Sequence, residues 1–386
     1  MSTYDETVAA CALNKLFGDH PAKVFRLMEE TGGALELFDG AGREVPPELL
    51  AKLTHSELEW AVKELERVRQ GGFRFLSFWD EDYPQPLREL PDPPLGLYLN
   101  GSTSPAEIFS LRPLVAFVGT RDLSSYGRVW CQKLVRGLAE AHVPPAIVSG
   151  LALGADGVAH QAALDCGLPT IGVMATGIDK VYPRQHEHLA MDMVRSPGCA
   201  LVTDYPLDTE AMTWNFIRRN RIIAGLSRAV VVVESKTKGG SLMTARYANE
   251  YNRDVFAVPG RLDDLRSAGC NSLIGTQMAQ IVTSPQQLAD ALGLGAPRAR
   301  TAGRASGFAN PEEALRARLT RLYGASSLLI PVGLAVCAHR GITAGELSAT
   351  LNRPYPEILA ALCSLETDGV LTSDLLGRCS LTAAFS

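Results

Sequence analysis

The 386-residue sequence lacks the patterns of membrane proteins and of common nucleotide-dependent enzymes. No apolar run approaches the ~18 residues of a membrane-spanning helix, and the N-terminus has no basic segment leading into an apolar core, so we predict a cytoplasmic chain. G-x-x-x-x-G-K-[ST] is absent and no G-x-G-x-x-G follows the first predicted strand, which excludes a P-loop and disfavours a dinucleotide cofactor. G-x-S-x-G and H-E-x-x-H are also absent. The residues alone therefore show no catalytic site, and we predict no cofactor, no metal and no catalytic residue.

Paired cysteines are absent as well. The sequence holds 8 cysteines, and they stand singly with no Cys-x-x-Cys and no histidine at zinc-finger spacing. Such spacing disfavours both a disulfide framework and a zinc site, so we expect buried, reduced thiols.

The net charge of the chain is small, but the charged residues are unevenly distributed along it. The formal net charge is −5, yet the counts give −5 for residues 1–80, +2 for residues 111–292 and +3 for residues 293–310. Because the local field governs binding more than the net charge does, an anionic partner of the middle region stays open.

Composition and periodicity divide the chain into five parts. Apolar spacing in the first residues predicts short helices, and clustered prolines then predict an extended connector with one or two strands. A helix, a turn at Arg353-Pro354, a second helix and two short strands near the C-terminus form a winged-helix-like order. The predicted parts are a small helical domain of the SAM or helix-hairpin-helix type (1–70), a connector (71–110), a Rossmann-like domain (111–292), a basic flexible linker (293–310) and a winged-helix-like domain (311–386).

Residues 114–283 alternate short apolar strands with helices. The strands are apolar on both faces, as in LVAFVGT (114–120) and AVVVVES (229–235). Strands of this kind indicate a parallel sheet covered by helices on both sides, so the predicted fold class is a doubly wound, mostly parallel α/β sheet.

Parallel strands place every strand-to-helix turn on one edge of the sheet, where helix N-termini attract anions. Four of these turns are rich in small residues, and basic residues, Lys236 and Lys238 among them, lie on or next to the loops of the same edge. Such a groove is the footprint of phosphate-backbone binding, although the glycines also suit tight turns and the arginines also suit structural clamps. The predicted phosphate-binding residues are Gly119, Thr120, Arg121, Ser149, Gly150, Gly177, Lys180, Arg218, Arg219, Asn220, Arg221, Gly240 and Ser241.

Aromatic residues lie between these basic residues. Tyr182 and Phe216 are candidates for base stacking, which tolerates any base sequence and therefore favours single strands. Ordinary core packing is the alternative for each ring.

Taken together, the loops resemble the DNA-processing protein A (DprA, or Smf) family over about residues 70–300. The motifs in register are Val118-Gly119-Thr120-Arg121, Ser149-Gly150, Gly177, Tyr182-Pro183, Arg219-Asn220-Arg221-Ile222-Ile223-Ala224-Gly225-Leu226-Ser227, Gly240-Ser241-Leu242 and Val258-Pro259-Gly260. Leu153 stands where the family often has Arg, and Ile217 where it often has Pro.

The resemblance implies a protein that is not an enzyme, and that binds single-stranded DNA, protects incoming strands in natural transformation and helps to load the RecA recombinase. It also implies a homodimer, with Met243 and Ile274 as candidate interface residues or, equally, buried core residues.

Two other function classes stay open on the residues alone. Gly239-Gly240-Ser241 with Thr244 and Glu250 also suits a nucleotide-binding α/β enzyme that cleaves the base from a nucleoside monophosphate. The C-terminal part alone also suits a winged-helix transcription regulator, although its charge of −1 over residues 311–386 disfavours duplex binding.

Overall fold

A sheet of nine strands organises the larger part of the chain. The computed structural model describes residues 5–31, 33–38, 51–295, 311–324, 327–339, 341–374 and 377–382. Two compact units emerge, Met1–Ala299 and Arg300–Ser386. In the part described, no helix combines the length and the hydropathy that crossing a membrane requires.

The first unit contains nine strands: β1 (Arg74–Ser77), β2 (Gly96–Asn100), β3 (Leu114–Val118), β4 (Ala146–Ser149), β5 (Thr170–Val173), β6 (Ala200–Thr203), β7 (Ala229–Val232), β8 (Asp254–Ala257) and β9 (Gln280–Ile281). Their order is β1-β2-β6-β5-β4-β3-β7-β8-β9. The pairs from β6 through β9 are parallel, and β1 and β2 add two antiparallel strands at one edge. The predicted fold class is confirmed.

The helices of the first unit are α1 (Glu6–Phe17), α2 (Pro21–Thr31), α3 (Ala34–Phe38), α4 (His55–Gln70), α5 (Gln85–Arg88), α6 (Pro105–Ser110), α7 (Ser125–Ala139), α8 (Ala155–Asp165), α9 (Glu187–Arg195), α10 (Thr213–Leu226), α11 (Ser241–Glu250), α12 (Ala268–Gly275) and α13 (Pro285–Ala291). A short 3₁₀ turn, Arg184–His186, precedes α9.

Alternating side chains of the strands enter two separate cores. On β3, Ala116 and Val118 pack in one apolar cluster with α10 and α11, and Val115 and Phe117 pack in the other with α7 and α8. Every residue of β3 is buried, because helices cover both faces of the sheet. The continuous apolar runs of the sequence follow from this double burial.

The segment 71–110 contains two strands, in line with the one or two strands predicted for the connector. It supplies β1 and β2, which pair with each other and extend the sheet beyond β6. The prolines between the two strands interrupt regular structure without preventing the strands on either side from pairing.

The N-terminal helices pack around a core of their own and also contact the edge of the sheet. Leu13, Leu37 and Leu58 belong to that core. The Asn14 side-chain amide donates to the Asp204 carbonyl at 2.7 Å. The boundary at residue 70 and the assignment to a SAM or helix-hairpin-helix type stay predictions.

The second unit contains α14 (Pro311–Tyr323), α15 (Leu329–Ala338), β10 (Ile342–Thr343), α16 (Ala344–Leu351), α17 (Tyr355–Thr367), β11 (Leu371–Ser373) and β12 (Arg378–Leu381). The strands form a small antiparallel sheet in the order β10-β12-β11. Two helices followed by a strand pair match the predicted order, and the winged-helix assignment stays a prediction. Of the predicted linker 293–310, residues 296–310 lie outside the described residues.

Candidate functional site

A cleft opens at the carboxyl edge of the sheet, between the loops that follow β3 and β7. The chain runs from β3 through β4 and β5 to β6 in one direction, and then returns to β7 and β8 on the other side of β3. Such a reversal leaves a crevice at the ends of the two central strands, where α/β proteins bind ligands. The cleft has a volume of about 840 Å³.

The β3–α7 loop forms one wall of the cleft through Gly119, Thr120, Arg121 and Asp122. Gly119 has no room for a side chain, because a Cβ there would lie 2.7 Å from the Ala155 Cβ and 3.1 Å from the Glu234 carbonyl oxygen. The loop is fixed from below, since the Thr120 amide donates to that same carbonyl at 2.8 Å. Arg121 is exposed on this rigid support.

Arg121 begins a row that combines a cation with two aromatic rings. Its guanidinium lies 4.9 Å from the centre of the Phe216 ring, and the Phe216 and Tyr182 rings are 5.4 Å apart at 55°. Tyr182 is 46% exposed, so one ring face remains open to a flat ligand. The two predicted stacking residues are thus brought together at the cleft.

The β7–α11 loop forms the opposite wall and carries two further cations. Lys236 and Lys238 are exposed and line the cleft together with Gly240 and Ser241. Neither lysine has an ion pair within the described part of the chain, and neither does Arg121. Asn220 donates to the Gly240 carbonyl at 3.3 Å and so connects α10 to this loop.

Two buried residues of opposite charge, Arg219 and Asp156, lie under the cleft. Arg219 is 3% exposed and donates from Nη1 to the Val173 carbonyl at 2.7 Å, and burial lowers its pKa to about 10. Burial likewise raises the pKa of Asp156, against the opposing effect of Arg219. Asp156 Oδ2 accepts from the amides of Gly150 and Ala152 at 3.1 and 3.3 Å. The pair therefore fixes the β4–α8 loop, and Arg219 supplies positive charge to the floor of the cleft.

The structure corrects the predicted phosphate-binding role of Arg218 and Arg221. Arg221 is 3% exposed and donates to Asp204 Oδ2 at 2.9 Å and to the Asp92 carbonyl. Arg218 donates to Asp19 and, at 3.3 Å, to the same Asp204 oxygen. Neither arginine lines the cleft, because the face of α10 that carries them turns toward β6 and the N-terminal helices.

Three predicted small residues are also withdrawn from the surface. Ser149 is fully buried, with Oγ bonded to the Phe117 carbonyl. The Gly150 amide donates to Asp156, and the Gly177 amide donates to the Thr209 carbonyl at 3.0 Å. None of the three lines the cleft. Their polar groups are already used within the fold, and their contact with phosphate stays a prediction.

Lys180 lies outside the residues that line the cleft. Its ammonium is 2.5 Å from Glu210 Oε1 and donates to the Asp208 carbonyl at 3.1 Å. The hydrogen bond that Lys180 donates to Glu210 raises the Lys180 pKa. Its contact with phosphate stays a prediction, and such a contact requires Lys180 to leave Glu210.

The candidate interface residues, Met243 on α11 and Ile274 on α12, are both half-buried. Ile274 packs against the apolar cluster under those helices. Their partial exposure leaves the interface prediction open.

Sequence reasoning gave too little weight to Lys236 and Lys238. The sequence predicts both lysines as bases on the carboxyl edge, but the predicted phosphate-binding residues include the arginines on α10 and neither lysine. Asp156, which is not among the predicted site residues, also lines the cleft. The pairing of β3 with β7 indicates that these lysines belong to the site, because the loops that follow two neighbouring parallel strands face each other.

The family model for DNA recombination-mediator protein A matches residues 74–293. A Smf protein of Synechocystis is 42% identical over 229 residues, which cover 59% of this chain and 56% of that relative. This similarity spans little more than half of the relative's length.

Two solved structures are similar in fold and sequence. DNA processing protein A from Streptococcus pneumoniae matches with a TM-score of 0.61 and 30% identity, over 75% of this chain and 98% of that one. DNA processing protein A from Helicobacter pylori, solved to describe its single-stranded DNA binding mode, matches with a TM-score of 0.51 and 30% identity, over 57% of this chain and 95% of that one.

Proposed function

The chain belongs to the DNA recombination-mediator protein A family, and we propose that its cleft binds single-stranded DNA. Binding of this kind would protect incoming strands during natural transformation. The relative from Helicobacter pylori, described for its single-stranded DNA binding mode, supports the choice of ligand.

One observation carries the proposal: three exposed cations without ion pairs in the described chain surround a single cleft. Arg121 stands on one wall, and Lys236 and Lys238 stand on the other. Exposed lysines and arginines on separate loops neutralise successive phosphates and release the counterions of the strand. The buried Arg219 adds positive charge beneath them.

The aromatic row favours an unpaired strand over a duplex. Tyr182 has an open ring face beside Phe216, and a base can stack there only when it is not already stacked in a helix. A duplex offers phosphates to the cations but no free base to the rings, so we expect duplex DNA to bind more weakly.

The proposed role is binding without chemistry. The two buried carboxylates nearest the cleft are committed to the fold: Asp156 accepts two backbone amides, and Glu234 accepts the amide and the hydroxyl of Ser124. A general base must come within hydrogen-bond distance of the proton it removes, and both carboxylates are buried. Release of free base from a nucleoside monophosphate by the purified protein would contradict this part of the proposal.

The proposal extends to two partners, RecA and a second copy of this chain. A protein that coats single strands and then transfers them to RecA must bind both the strand and the recombinase. For the homodimer we propose contacts through Met243 and Ile274, which are half-buried on neighbouring helices. Met243→Glu should halve the molecular mass in sedimentation equilibrium if the interface is there. An unchanged mass would place any dimer contact elsewhere.

The test of the proposed function is fluorescence anisotropy with labelled oligo(dT) and a matched duplex over a salt series. We expect tighter binding of oligo(dT), with an affinity that falls steeply as salt rises. Arg228→Ala is the matched control, because Arg228 is exposed just before β7, at the opposite edge of the sheet. This control should bind like the wild type. Equal affinity for duplex and oligo(dT), or no binding of either, would contradict the proposal.

A further inference from the structure

Three large apolar side chains are exposed where α10 begins. Met212, Trp214 and Ile217 are 42%, 62% and 46% exposed, and we call them the apolar shelf. Contiguous exposed apolar surface on a protein of this kind marks a place where another molecule binds.

The shelf continues the surface of the cleft. Ile217 lines the cleft, as do Thr213 and Phe216 on the same turns of α10. Trp214 is three residues from Ile217, and residues at this spacing are neighbours on a helix surface. A ligand that leaves the cleft past Ile217 therefore meets the Trp214 ring.

Trp214 differs from the other three tryptophans in having no ring contact among the described residues. Trp60 lies under the Lys15 ammonium, Trp79 packs against Phe25 and Phe78, and Trp130 packs against Tyr126 and Lys133. The Trp214 indole has no such neighbour, and Trp214 is the most exposed aromatic residue in the described part of the chain. Its position three residues from the cleft residue Ile217 makes an exposed indole available next to the cleft.

We propose that Trp214 stacks an unpaired base of a strand whose phosphates lie in the cleft, so that the apolar shelf extends the DNA track beyond Tyr182 and Phe216. The inference rests on the proposed function. Charge complementarity identifies the occupant: Arg121, Lys236 and Lys238 hold the anionic backbone, and the shelf offers only apolar and aromatic surface to the uncharged faces of the bases. Stacking on a flat ring tolerates any base, so the shelf adds affinity without sequence preference.

The test follows intrinsic tryptophan fluorescence while unlabelled oligo(dT) is added, with anisotropy of labelled oligo(dT) measured in parallel. Binding should quench the wild-type emission, because a stacked base quenches indole. Trp214→Phe should bind oligo(dT) and lose most of the quenching. Trp60→Phe is the control, because Trp60 is on α4 with its ring against Lys15 of α1. This variant should keep the quenching.

Trp214→Ala should weaken oligo(dT) binding by about five- to a hundredfold, the range for the loss of one stacked base. Trp214→Phe should restore most of that affinity. An unfolding midpoint equal to that of the wild type shows that the Ala variant folds.

Failure of the inference and failure of the proposed function give different results. If oligo(dT) does not bind the wild type, the proposed function fails. If it binds with Trp214 emission unchanged and Trp214→Ala has wild-type affinity, the inference alone is overturned. A molecular mass in sedimentation that falls in Trp214→Ala without loss of DNA affinity also overturns it, and assigns the shelf to contact between copies of the chain.

Discussion

The cations of the cleft loops and the arginines of α10 are the same kinds of residue in opposite environments. Arg121, Lys236 and Lys238 are exposed and have no ion pair in the described chain, whereas Arg221 is buried against Asp204. A guanidinium already matched by a buried carboxylate has little to offer a phosphate, because leaving its partner would strand a charge in the core. The exposed cations of the loops are therefore the proposed phosphate ligands, and the buried arginine of α10 stabilises the fold. This division holds although α10 has the more conspicuous run of basic residues.

The largest effect should come from removing the carboxylate that holds the α10 arginines. Asp204→Ala removes the 2.9 Å ion pair of the buried Arg221 and leaves it the longer pair to Asp92 at 4.0 Å, so we expect the free energy of unfolding to fall by about 3–5 kcal/mol. Urea denaturation followed by circular dichroism measures the change.

Asp19→Ala is the matched control for that substitution. Asp19 is 73% exposed and contacts Arg218 from the solvent side, so its loss should cost at most about 1 kcal/mol. Equal losses for the two variants would contradict the assignment of Asp204 to the support of the helix.

The buried residue His160 makes the stability of the fold depend on pH, whereas an exposed histidine should not. Burial lowers the pKa of His160 to about 3, and its Nδ1 lies 2.7 Å from Thr170 Oγ1. The unfolded chain binds a proton near pH 6.5 that the folded chain does not, so stability falls as the pH drops below that value, by about 2 kcal/mol at pH 5.

The measurement is urea denaturation at pH 7 and pH 5. His160→Gln should lose less stability between the two values than the wild type, and the exposed His142→Gln should behave like the wild type. An identical pH response in His160→Gln and the wild type would show that His160 is not kept neutral by the fold.

The smallest effect on DNA affinity concerns Lys180. This residue is ion-paired like the arginines of α10, but its ion pair is exposed. Glu210→Gln releases the Lys180 ammonium from an exposed ion pair, and we expect oligo(dT) affinity to rise about twofold at low salt, in line with the ~0.5 kcal/mol of such pairs. Anisotropy at low salt detects the change. Glu250→Gln makes the same charge change at the end of α11, at the opposite edge of the sheet, and should have almost no effect. A larger rise for Glu250→Gln than for Glu210→Gln would contradict the account.

The fold was predictable because the physical signals were local. The strands that follow residue 110 are apolar on both faces, and the predicted strands 114–120 and 229–235 begin at the same residues as β3 and β7. The segment 71–110 was harder to interpret, since the pairing of β2 with β6 joins residues about 100 positions apart and leaves no local pattern.

The site was predicted only in part, because burial depends on distant partners. Arg121, Tyr182 and Phe216 lie at the cleft as expected. The run at Arg218–Arg221 gave no sign that Asp204 would bury two of its charges, since that depends on how α10 rotates against β6. The sequence showed where cations stand on the carboxyl edge, but not which of them already have a carboxylate partner.

The most direct measurement is the salt dependence of oligo(dT) binding by the triple variant Arg121→Ala, Lys236→Ala and Lys238→Ala. Three lost phosphate contacts should reduce the slope of log K against log salt by about two, at about 0.7 per contact for a single strand. The free energy of unfolding should change by less than about 1 kcal/mol, because all three side chains are exposed. A wild-type slope in this variant would contradict the assignment of DNA binding to the cleft loops.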